Sequence, residues 1–73
     1  MKRYANKSRH SGVIAYEKGP DFIRLLFRDN SDVYTYSNRS AGKTNVERMK
    51  RLASEGEGLT TFVTRNVKDK FER

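Results

Sequence analysis

"GVIAYEKGPDFIRLLFRDNSDVYTY", residues 12–36, decides the fold. Three apolar runs rich in Val, Ile, Phe and Tyr are separated by two short polar stretches, Gly19-Pro20-Asp21 and Asp29-Asn30-Ser31-Asp32. β-Branched and aromatic side chains suit a pleated, half-buried surface, whereas Gly, Pro, Asn and Asp favour turns. Links this short join antiparallel neighbours. The stretch therefore predicts a three-stranded antiparallel meander, with strands at about 12–18, 22–28 and 32–37.

Centring the turns on Gly19-Pro20 and Asn30-Ser31 sets a register. Tyr16 then faces Ile23, Ile14 faces Leu25, Phe27 faces Tyr34, and Leu25 faces Tyr36. Side chains alternate between the two faces of a sheet. One face collects Ile14, Tyr16, Ile23, Leu25, Phe27, Tyr34 and Tyr36 and is the expected core. The other carries Val13, Ala15, Arg24, Leu26, Arg28, Val33 and Thr35. That mixture of apolar groups and two arginines fits a subunit interface framing a phosphate site, or a face covered by the chain's own ends.

Beyond the strands, Thr44-Asn45-Val46-Glu47 has the form of a capping box. Val46, Met49, Leu52 and Ala53 recur at helical spacing, and Gly56 suits a left-handed stop. A helix is expected at about 45–55, with Lys50 and Arg51 on its outer face. Leu59, Phe62, Val63, Val67 and Phe71 form a second helical stripe at about 60–71, although "TTFVT" alone has strand propensity. The expected class is α+β, an antiparallel sheet with helices on one face.

The chain has 73 residues, with sixteen Lys and Arg against nine Asp and Glu, for a net charge of +7. One small domain is expected over 11–73, preceded by a flexible basic arm at 1–10 that holds Lys2, Arg3, Lys7 and Arg9 and no acid. With no cysteine and a single histidine, His10, neither a disulfide nor a thiolate metal site can supplement a small core. Oligomerisation is the remaining common route, so a homo-oligomer is expected. No apolar run is long enough to span a bilayer, and no apolar segment follows the charges of "MKRYANKSRH". A cytoplasmic protein without membrane contact, metal or cofactor is expected, in the host cytoplasm if a phage encodes it. The basic balance favours polyanionic partners.

Gly42-Lys43-Thr44 suggests a P-loop, but Ser37 stands where the first glycine of that motif belongs. The loop does lead into a helix N-terminus, whose free amides and partial positive charge favour an anion. Arg39, Ser40, Lys43 and Thr44 are therefore candidate phosphate ligands, together with Arg24 and Arg28, whose planar forks suit phosphate. The plain alternative is that Gly42 turns and Thr44 caps. Tyr34 and Tyr36 are candidate aromatic contacts for bases, although the register makes core packing the better account of them. No carboxylate pair or nucleophile–base set is apparent, so no enzyme is expected.

"SGVIAYEK", "FIRLLF", "VYTY" and "ERMKRLASEGEGL" occur in the order that marks the KTSC domain, and the chain resembles that family over about residues 11–71. The supporting motifs are Ser11 before the first strand, Tyr34-Thr35-Tyr36, and the Ala53-Ser54-Glu55-Gly56 turn. The module follows some lysyl-tRNA synthetases and also occurs alone in small bacterial and phage proteins. Here "SNRSAGKT" replaces the Val-Pro-type turn that often follows Tyr-x-Tyr in the family. The resemblance implies RNA binding.

The leading expectation is a small basic, non-catalytic binding module for a phosphate-bearing ligand, either RNA or another nucleic acid, or a nucleotide. One alternative is a phage-type, anti-defence oligomer that sequesters a cyclic oligonucleotide immune signal between subunits. Another is an inhibitor that binds an acidic host protein surface.

Overall fold

The computed structural model describes residues 1–5, 7, 12–28 and 32–72. His10, Ser11, most of the second half of the basic arm and the turn at 29–31 lie outside the described residues.

Four antiparallel strands form one sheet in the order β1 (Lys2–Arg3), β2 (Val13–Lys18), β3 (Phe22–Phe27) and β4 (Val33–Ser37). The meander of β2, β3 and β4 follows from the strand and turn chemistry of residues 12–36. The additional strand corrects the three-stranded expectation. Lys2 pairs with Tyr16 and Arg3 with Ala15, inside the segment expected to be a flexible arm. Tyr4 is the physical reason. Its ring is buried and meets Tyr16 edge-on at 6.5 Å, and its backbone N–H donates to the Ile14 carbonyl at 3.0 Å. One aromatic anchor outweighs the charge around it.

Both hairpins pair two residues away from the expected register. Tyr16 lies opposite Leu25, and Leu25 opposite Tyr34. A shift of two preserves the side-chain alternation, so Tyr16, Ile23, Leu25 and Tyr36 are buried as expected. Val13 and Ile14 are exchanged. The β2–β3 pairing is irregular between Val13 and Ala15, so that Val13 faces Phe27 and Ala15 faces Leu26. This bulge inserts Ile14 as an extra residue and turns Val13 inward. Val13 is completely buried, while Ile14 is 39% exposed.

α1 (Lys43–Glu55) covers the core face through Val46, Met49 and Ala53. Gly56 ends it in the left-handed conformation, at φ 81°, with its N–H on the Leu52 carbonyl. The capping box does not form. Gly42 is the N-cap, no side chain caps the helix, and Glu47 instead pairs with Lys50 at 3.2 Å. Helix formation begins two residues earlier than the box requires, which places Thr44 inside the helix.

The last segment is helical but ends early. α2 (Leu59–Phe62) continues into a wider π-helical turn, Val63–Val67. Leu59, Val63 and Val67 are buried at strict four-residue spacing. Such a stripe drifts around an α-helix of about 3.6 residues per turn, and a wider turn reduces the drift. Beyond Lys68 the chain returns to the sheet, where the Glu72 N–H donates to the Thr35 carbonyl at 2.6 Å. No helix among the described residues is long and apolar enough to cross a membrane.

Candidate functional site

The expected phosphate ligands are not brought to one place. Arg39, Ser40, Lys43 and Thr44 lie at the N-terminal end of α1. That loop is tied to the β2–β3 turn by the Asn38 N–H donating to the Asp21 carbonyl at 2.8 Å. Arg28 lies at the opposite end of β3, where its N–H donates to the Gly12 carbonyl. Six residues of strand separate it from Phe22, the partner of Ser37, a span of roughly 20 Å. Arg24 is on the open sheet face, paired with Glu17 at 3.3 Å and with its guanidinium 4.8 Å from the centre of the Phe22 ring.

The loop before α1 is largely satisfied by itself. The Ser37 N–H donates to the Ser40 hydroxyl oxygen and the Ser40 N–H to that of Ser37, each at 3.0 Å. The Ser37 hydroxyl donates to the Glu72 carboxylate. Asn38 contributes a buried side-chain oxygen with no hydrogen-bond partner among the described residues, an acceptor that does not favour an anion. Arg39 and Lys43 are exposed and have no acid partner among the described residues.

Tyr34 and Tyr36 take part in an aromatic cluster. Phe71 stands edge-on to Tyr34 at 4.8 Å and to Tyr36 at 6.2 Å, and Phe27 meets Tyr34 at 5.6 Å. Tyr36 is buried, and burial pushes its hydroxyl pKa up to about 12, with smaller contributions from Tyr34 and Asp69. This packing leaves little of Tyr36 to offer a base.

A different set of residues converges on the solvent side of the helical layer. α1 and α2 are joined only by residues 56–58, which keeps them adjacent. Between them run two neighbouring depressions of about 520 and 470 Å³ that share Arg48, Arg51 and Phe62. Thr44, Asn45 and Glu47, the last paired with Lys50, extend one, and Arg65 and Asn66 extend the other. Phe62 is half-buried, with part of its ring packed against the core. Arg51 pairs with Glu55 at 3.5 Å, but both side chains are more than half exposed, so water and salt weaken the pair. Arg48 and Arg65 have no acid partner among the described residues.

Sequence reasoning missed this groove. Its signal was present as the four- and three-residue spacing of Thr44, Arg48 and Arg51, and as the three-residue spacing of Phe62 and Arg65. Nothing in either helix alone says that the two stripes face one another. Among the described residues no group of three or more His, Cys, Asp or Glu is placed to hold a metal. No family model, curated protein or solved structure matches the chain.

Proposed function

We propose that this protein is a small, non-catalytic binding module that holds a phosphate-bearing ligand in the groove between α1 and α2. One observation carries this conclusion. Arg48, Arg51 and Arg65 line depressions that share a half-buried aromatic ring, and two of the three lack an acid partner among the described residues. Clustered guanidinium groups repel one another, and a phosphate relieves that repulsion while accepting paired hydrogen bonds. The net charge of +7 assists association with a polyanion. The RNA binding implied by the KTSC resemblance agrees with this site, although, Thr44 apart, the residues that line it differ from those the sequence nominated.

The test is fluorescence anisotropy with a labelled oligonucleotide over a range of salt concentrations. Each phosphate contact to a single strand contributes about 0.7 to the slope of log affinity against log salt. The double variant Arg48→Gln/Arg65→Gln should bind more weakly and lose about 1.4 from that slope. Arg24→Gln/Arg28→Gln should change both far less. Unchanged binding by the groove variant would remove the proposal.

Self-association has separate support. Ile14 and Val33 are 39% and 46% exposed, and Leu26 lies half-buried opposite Val33 on the open sheet face. Two copies of a chain this basic meet most easily through a surface of low net charge. The open face has Glu17 beside Arg24, so a two-fold pairing sets each against its opposite in the other copy. Sedimentation should show concentration-dependent dimers that Val33→Lys abolishes. A monomer at all concentrations would exclude them.

A further inference from the structure

We infer that the α1–α2 groove takes single-stranded nucleic acid, with one base stacked on Phe62 and the flanking phosphates held from both walls. This inference rests on the phosphate-binding function proposed above and names its ligand class.

The arginines come from both of the helical segments that form the groove. Arg48 and Arg51 belong to α1, and Arg65 follows Phe62 by three positions on the adjoining helix. A mononucleotide carries its phosphates at one end only. A nucleotide within a strand carries one on each side of its base. The depressions also continue past Phe62 in both directions, toward Asn45 and toward Asn66. That open, two-ended form suits a strand passing through and does not enclose a small molecule.

The two asparagines add a second chemical preference. The Asn45 amide nitrogen donates to the Ala41 carbonyl at 2.8 Å, and that of Asn66 donates to the Phe62 carbonyl at 3.1 Å. Backbone carbonyls only accept, so these contacts fix the orientation of both amides. The side-chain oxygen and the second amide N–H of each asparagine remain available. A donor and an acceptor on one amide match the mixed donors and acceptors of a base edge. The groove thus combines guanidinium donors for phosphate, an aromatic surface for a base and amide groups for its edge. Duplex bases are already stacked and cannot lie on Phe62, whereas single strands bind readily to such aromatic platforms.

The decisive comparison uses labelled strands of about ten nucleotides, a length typical of such sites. One strand carries bases and the other is abasic with the same phosphates. The strand with bases should bind about 10-fold tighter, the effect expected of one stacked base. Phe62→Leu should reduce its affinity to the abasic level and leave abasic binding unchanged, which also shows that the variant is folded. A duplex should bind no better than the abasic strand. Equal binding of intact and abasic strands, or tighter binding of duplex, would overturn the single-strand inference and leave phosphate binding standing. No salt-sensitive binding to any of the three probes would overturn both.

Discussion

The Tyr4 hydroxyl accepts a hydrogen bond from the Leu59 backbone N–H at 3.3 Å, linking residues 55 positions apart. Leu59 opens α2, whose N-cap Gly58 offers no side-chain cap. The first amides of a helix have no partner within it. A tyrosine from the basic N-terminal segment therefore serves as an external cap while its ring fills the core.

Tyr4→Phe should cost about 1 kcal/mol, because the buried Leu59 N–H loses its acceptor. Tyr4→Ala should cost about 3–5 kcal/mol, comparable to the whole stability of a domain this small. Removal of residues 1–5 should act like Tyr4→Ala. Urea denaturation followed by circular dichroism measures all three. Full stability after the truncation would show that β1 is dispensable.

Gly56 also binds the N-terminal segment. Its carbonyl accepts from the Lys7 N–H at 2.7 Å, and a Cβ placed on it would come within 2.6 Å of the Ala5 Cβ. Gly56→Ala combines left-handed strain with this clash and should cost more than about 2 kcal/mol. Gly42 also has positive φ but open space around it, so Gly42→Ala should cost only about 1 kcal/mol. Equal denaturation midpoints for the two variants would contradict the close approach at Ala5.

The bulge at Ile14 predicts opposite sensitivities for adjacent residues. Val13→Ala removes fully buried methyl groups and should cost about 2 kcal/mol. Ile14→Ala acts at an exposed position and should cost about 0.5 kcal/mol. If the larger loss came from Ile14, β2 would pair without the irregularity.

Tyr36 predicts an alkaline limit to stability. Burial raises its hydroxyl pKa from 10.0 to about 12 in the folded chain. The neutral form is favoured by folding, so this contribution is fully present below about pH 10. It is lost as pH rises from about 10 through about 12. Phenolate absorbance should show Tyr36 ionising late, together with loss of structure, and Tyr36→Phe should shift the alkaline transition upward. A late ionisation that persists in Tyr36→Phe would assign it to another tyrosine.

The sequence by itself determined the α+β class, the antiparallel meander, the first helix and the Gly56 stop. Each depends on local periodicity or on the conformational freedom of one residue, and alternation in the sheet survives a register error of two. Tertiary structure alone decided the rest. Tyr4 brings a charged segment into the sheet because its burial needs a cavity formed by β2 and α2. The bulge exchanges Val13 and Ile14 because strand pairing, not composition, places the extra residue. Arg48, Arg51, Phe62 and Arg65 converge because two helical faces meet across the link at 56–58, while Arg24 stays on the open sheet face and Arg28 at the far end of β3 from Arg39 and Ser40. Convergence of distant side chains depends on packing between elements, and no local pattern encodes it.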